Sequence, residues 1–219
     1  MLNVLYDFAR GPLVWAAFII FIGGTVVKLA RLYLLSRKKD AVVYNHLSLS
    51  WALKSILHFL LPLNRSVANR PLFSVVAYVF HICLLAAPIF AMSHAELLWE
   101  SWGINWPYLN DTLIDIMAII VILTGLGLII RRIIDPTVRL LTTPTDMALI
   151  LVTMAPFITG VLAYHQIGPY QPLVLLHLLS GELMLVLIPF TKLSHFALFF
   201  VTRSIIGMEF GARRATKAW

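Results

Sequence analysis

A single cysteine, Cys83, stands in a chain of 219 residues, which excludes an internal disulfide and any cluster held by several thiolates. No C-x-x-C-H motif occurs, so covalently attached c-type haem is excluded too. Charge is scarce: Asp, Glu, Lys and Arg make up 12% of the residues, against 60% that are apolar. Acidic residues are the rarer sign, with 10 against 17 Lys and Arg. The resulting +7 does not point to nucleic acid, because the basic residues lie between long apolar runs. There is no internal repeat, low-complexity tract or linker, so one membrane domain over residues 1–219 is the simplest division. The first apolar run lacks a small-residue cleavage pattern and is expected to remain as a membrane span. A mean hydropathy of +0.89 rules out an ordinary soluble domain.

Five apolar stretches, at about 12–35, 72–95, 112–131, 146–165 and 172–200, are long enough to cross a bilayer. They predict an all-α membrane protein, a bundle of five transmembrane helices. Arg31, Arg37, Lys38 and Lys39 end the first stretch. Lys54, Arg65 and Arg70 follow it, Arg131, Arg132 and Arg139 follow the third, and Arg203, Arg213, Arg214 and Lys217 form the tail. The other side carries Glu96, Glu100 and Asp111, and only Arg10 as a cation. This bias predicts an outer N-terminus and a cytoplasmic C-terminus. Residues 46–63 are apolar but interrupted by Lys54, His58 and Pro62, which predicts an interfacial helix rather than a further span. Trp99, Trp102, Trp106 and Tyr108 fall where an aromatic belt is expected.

Four histidines inside these stretches carry the chemistry. Ionisable side chains in a membrane are costly and usually functional. His177 and His195 lie eighteen residues apart, five turns of a straight helix, which returns both imidazoles to one face about 27 Å apart. The second stretch carries His81 and His94. Antiparallel running places His81 and His195 at the cytoplasmic depth, and His94 and His177 at the outer depth. Two such pairs predict two bis-histidine haem b groups between helices two and five. Interhelical hydrogen bonding without a cofactor is the competing reading. Pro88 separates His81 from His94 and disturbs straight-helix angles, so Met92 and His165 are fallback partners for His177. Gly181, one turn after His177, leaves room for a macrocycle, and Lys192 is placed to pair with a haem propionate.

Lesser candidates surround these. Glu182 lies deep in the fifth stretch, as a structural partner or a proton relay. His46 and His58 read as interface residues, and Pro156 and Pro189 as helix-shaping ones. Glu96, Asp111 and Asp115, with Trp102 and Trp106, are candidates for a quinone site beside the outer haem. A proton-coupled transporter using His81, His177 and Glu182, or a passive membrane anchor, is the alternative to electron transfer.

At these histidines the chain resembles a known family. LHLLSGELMLVLIPFTKLSHFALFF is similar to the last membrane helix of the gamma subunit of respiratory nitrate reductase, a five-span di-haem cytochrome b. WALKSILHFLLPLNR, FHICLLAAPIFAMSH and WESWGINWP look closer to a branch in sulfate reducers. There, related cytochromes serve the high-molecular-weight cytochrome c, Tmc and Dsr transmembrane redox complexes. Nitrate reductase gamma subunits place the second-span histidines about ten apart. That position is Ala91 here, and the sulfate-reducer pattern puts His94 in its stead. The resemblance implies an electron-transfer subunit, not a stand-alone enzyme, in a bacterial or archaeal cytoplasmic membrane. It implies exchange with a quinone pool (menaquinone is one candidate) or a periplasmic multihaem cytochrome c, alongside other membrane subunits and membrane lipid. A cytoplasmic iron–sulfur subunit is implied at the other end.

Overall fold

The computed structural model describes residues 2–61, 67 and 69–211. Pro62, Arg65, Arg213, Arg214 and Lys217 lie outside the described residues. Among the described residues every regular element is helical, as an apolar solvent demands of a chain that must satisfy its own backbone. Helix α1 (Leu2–Phe8) passes through a π turn (Ala9–Leu13) into α2 (Val14–Lys39). A 3-10 turn (Ala41–His46) and α3 (Leu49–Leu60) follow, then α4 (Pro71–Phe90), α5 (Met92–Trp102), α6 (Asp111–Ile134) and α7 (Pro136–Leu141). The chain ends in α8 (Pro144–Tyr164), α9 (Tyr170–Leu187), a 3-10 turn (Lys192–Ser194), α10 (His195–Ile206) and a π turn (Gly207–Gly211).

Among the described residues six segments are long and apolar enough to cross a membrane: Asn3–Lys39, Pro71–Phe90, Asp111–Ile134, Pro144–Tyr164, Tyr170–Leu187 and Lys192–Gly211. Their outward faces are apolar as well; Ile19 is 68%, Leu72 80% and Leu123 62% exposed. Water would penalise such surfaces and lipid does not.

The helices form two compact units. One comprises Met1–Val14 and Val75–Met184. Its core joins Phe80, Cys83 and Ala87 of α4 to Val121 of α6 and Phe157 of α8. Helices α6 and α8 approach closely because Gly125 has no side chain: a Cβ there would lie 2.6 Å from Met154 Sδ. Asn110 caps α6 through the Thr112 amide, and Asp135 caps α7 through the amides of Thr137 and Val138. The Thr137 hydroxyl also donates to Asp135 and holds its carboxyl below the usual carboxylate range. Thr143 and Asp146 form a reciprocal capping box at the start of α8.

The other unit comprises Trp15–Ser74 and Leu185–Trp219. Here α3 packs on α10, with the Arg203 guanidinium 3.7 Å above the Phe59 ring. Gly211 makes room for Trp51, since a Cβ would come within 2.6 Å of the indole. Phe21 of α2 meets Phe196 of α10 at a centroid distance of 5.8 Å.

Three expected spans differ in detail. The first continues to Lys39, because Arg37, Lys38 and Lys39 suit the negative end of a helix dipole. The second, expected to reach residue 95, stops at Phe90 and restarts at Met92, with Ala91 extended between them. The fifth, expected as one helix over 172–200, breaks after Leu187 and resumes as the turn at Lys192. His177 and His195 therefore do not share one straight helix, and the single-face argument for them fails. Pro189 lacks the amide hydrogen needed to carry the helical ladder through the break.

Candidate functional site

The break at Ala91 leaves three terminal carbonyls of α4 in need of donors. The His94 ring meets the carbonyl of Pro88 through Nδ1 at 2.7 Å, and the Trp106 indole N–H donates to Ile89 O at 2.9 Å. The Leu109 amide donates to Phe90 O at 2.9 Å. Trp106, considered as a shield for a quinone ring, thus serves as a helix cap. His94 belongs to the first turn of α5 rather than to the helix carrying His81.

Opposite it stands His177, half-buried on α9. Its Nδ1 lies 2.8 Å from the carbonyl of Pro156 on α8. The two rings sit with centroids 6.1 Å apart and an interplanar angle of 23°. A carbonyl oxygen only accepts, so Nδ1 carries the hydrogen in both rings and the lone pair resides on Nε2. Metal-ligating histidines are oriented by the same kind of bond. Two imidazoles bound to one metal from opposite sides, at about 2 Å each, hold their centroids about 6 Å apart. The centroid separation of the pair matches that spacing. Among the described residues no three His, Cys, Asp or Glu side chains converge. A donor pair is what a porphyrin requires, because the macrocycle supplies the remaining nitrogens.

Gly160, one turn after Pro156 on α8, sets the position of His177. A Cβ on Gly160 would lie 3.2 Å from both Cε1 and Nδ1 of the imidazole. The sequence reading passed over this glycine; its place one turn after a mid-helix proline was the available signal. A Cβ on Gly181, by contrast, would meet nothing within 4 Å, so this position does leave open space.

His81 and His195 make the same type of bond in their own units. His81 Nδ1 is 2.7 Å from Ala77 O, and His195 Nδ1 is 2.8 Å from Lys192 O. Lys192 is exposed and opens the 3-10 turn that leads into His195. That turn is held from α2: Lys28 Nζ donates to Pro189 O at 3.0 Å and to Ser194 Oγ at 2.7 Å. Gly24, one turn before Lys28, admits Pro189, whose Cβ and Cγ would lie 2.8 Å from an added Cβ. Lys28 was not singled out from sequence, although a lysine eleven residues inside the C-terminal end of α2 is the kind of residue that needs a partner.

The remaining candidates separate. His165 Nε2 engages both oxygens of Asp115, at 3.1 and 3.0 Å. The fallback ligand and one proposed proton acceptor thus hold each other. Met92 opens α5 and is 36% exposed, while Glu96 and Asp111 are exposed and Trp102 ends α5 at 54% exposure. Glu100 pairs with Arg10. Glu182 is buried, and neither carboxylate oxygen has a hydrogen-bond partner among the described residues.

No family model matches the chain, and no solved structure matches it. A protein of Nitratidesulfovibrio vulgaris strain Hildenborough, described only as "Protein", is 36% identical to it over 216 residues. The similarity covers 96% of this chain and 95% of that relative.

Proposed function

The chain belongs to the same family as this Nitratidesulfovibrio vulgaris protein, and we propose that it is a haem b-bearing membrane subunit of a respiratory redox complex. The observation that carries the reading is the facing pair His94 and His177, with centroids 6.1 Å apart and each Nδ1 anchored on a carbonyl. These two side chains would hold one haem. The expectation of a second, on His81 and His195, rests on their depth in the sequence and on the family resemblance.

When bound, haem supplies reversible one-electron chemistry. The chain's share is to fix each imidazole's tautomer, raise its basicity through the carbonyl bond, and surround the ligands with apolar helices. Resemblance to nitrate reductase gamma subunits and sulfate-reducer cytochromes supports the wider assignment. In it, electrons pass between a quinone pool or periplasmic multihaem cytochrome and a cytoplasmic iron–sulfur subunit, across a bacterial cytoplasmic membrane.

The proposed orientation has the N-terminus outside and five crossings. All 17 Lys and Arg residues except Arg10 fall toward one side in this arrangement. Helix α3, with 12 residues, is too short to cross, and α10 packs on it. We read both as cytoplasmic interfacial helices, with α9 as the fifth crossing. Glu182 is the observation that favours the proton-translocating alternative, since a buried carboxyl without a partner suits proton uptake.

The test is electron passage through vesicles containing the purified chain and a trapped, membrane-impermeant oxidant. A quinol analogue added outside should reduce the haem and then the trapped oxidant. A chain that carries no reducible haem, or haem reduced without any passage inward, would contradict the assignment.

A further inference from the structure

A cavity of about 850 Å³ lies beside α2 and the break before the Lys192 turn, within a single unit of the fold. Lys28, Arg31 and Lys38 line it, together with leucines of α2 and with Pro189 and Phe190. Among its described lining residues there is no acidic side chain. At about 100° per residue, Gly24, Lys28, Arg31, Leu35 and Lys38 fall on one stripe of α2, and the three cations climb about 15 Å along it. The stripe thus runs from the deep Lys28 to the basic end of the helix.

Two observations identify the occupant. First, Lys28 has neutral acceptors only: two of its N–H groups go to Pro189 O and Ser194 Oγ. Among the described residues no carboxylate pairs with it, with Arg31 or with Lys38. A cation held this far inside a span gains from a nearby anion. Second, the apolar part of the wall faces outward. Leu32 is 40%, Leu34 65% and Leu35 50% exposed, so the mouth opens where acyl chains lie. An occupant that enters from the bilayer must bring both a negative headgroup and hydrocarbon.

We propose that this cavity binds an anionic phospholipid. Its phosphate meets Arg31 and Lys38 near the end of α2 and draws on the charge of Lys28 below, while its chains cover Leu35 and Phe190. Basic pockets beside membrane helices are suited to such headgroups. The inference needs the chain to cross a membrane and is independent of haem.

The full-length chain, purified in detergent and washed free of loose lipid, would be examined by native mass spectrometry for retained phosphatidylglycerol. The wild type should keep it in preference to phosphatidylcholine. The double variant Arg31→Gln/Lys38→Gln, which leaves the Lys28 bonds in place, should retain about tenfold less or lower still. Lys39→Gln, outside the cavity, should behave as wild type. Equal retention by the double variant, or equal retention of the two lipids by wild type, overturns the proposal. If the double variant does not fold, thermal unfolding of wild type with added lipid decides instead. Stabilisation by phosphatidylglycerol but not by phosphatidylcholine or inorganic phosphate supports it; any other order overturns it.

Discussion

Between His177 and the backbone of α8 there is little slack, and this makes Gly160 the most informative small residue in the chain. With a Cβ only 3.2 Å from the ring, Gly160→Ala must push the imidazole by a few tenths of an ångström. We expect the variant to fold, and to shift the midpoint potential or the low-spin resonance of the haem proposed to bind His177. An unchanged potential and resonance would place the ring elsewhere. Gly181 reports differently, because a Cβ there meets no protein atom within 4 Å. Gly181→Leu should leave thermal stability unchanged but lower haem retention if the macrocycle uses that space. His165 offers the opposite expectation. Its Nε2 is taken by the Asp115 carboxylate, so His165→Ala should leave haem content and spectrum as in wild type. Loss of haem in that variant would return His165 to the ligand set. Sequence alone reached His94 and His177, because histidines in apolar runs are conspicuous. Gly160 carried only the faint signal of its place after Pro156, and the Asp115 partner of His165 carried none, since both contacts depend on which helices touch.

Helix breaks decide where the histidines stand. The chain pattern presents 172–200 as one apolar run, and hydropathy has no means of marking a break inside it. What stabilises the break lies far off: Lys28 is 161 residues from Pro189, whose carbonyl it satisfies. Removing that donor should loosen the turn that precedes His195. A hydrogen bond from a charged group is worth about 1.5–3 kcal/mol in water-soluble proteins and about 0.6 kcal/mol on average between membrane helices. Lys28→Met should therefore destabilise by about 1 kcal/mol or somewhat more, with faster amide exchange confined to the turn and the start of α10. Uniformly faster exchange across the protein, or none, would show that the bond does not hold the break. The break at Ala91 follows the same logic. Pro88 was visible as a source of irregularity, but the actual stop needs Trp106 and Leu109 to satisfy the carbonyls of Ile89 and Phe90. Those partners come from a loop that reads, in sequence, only as an aromatic belt.

At the scale of the whole molecule, the membrane character was legible from composition, and the described residues include six segments able to cross. The number of crossings was harder to read, because length and hydropathy cannot distinguish a crossing from an interfacial helix packed on another. The proposed orientation predicts that a reporter fused after Trp219 is active only on the cytoplasmic side; activity confined to the outside would reverse it. The proposed electron transfer depends on something more specific than crossing, namely that His94 and His177, with ring centroids 6.1 Å apart, would hold an iron porphyrin. The most direct measurement is the number of haem b groups per chain, by pyridine haemochrome, in the purified wild type and in His177→Ala. We predict that the wild type carries haem b and that His177→Ala loses the haem held with His94, keeping any bound by His81 and His195. Wild-type protein without haem, or a His177→Ala variant with undiminished haem, would contradict the account.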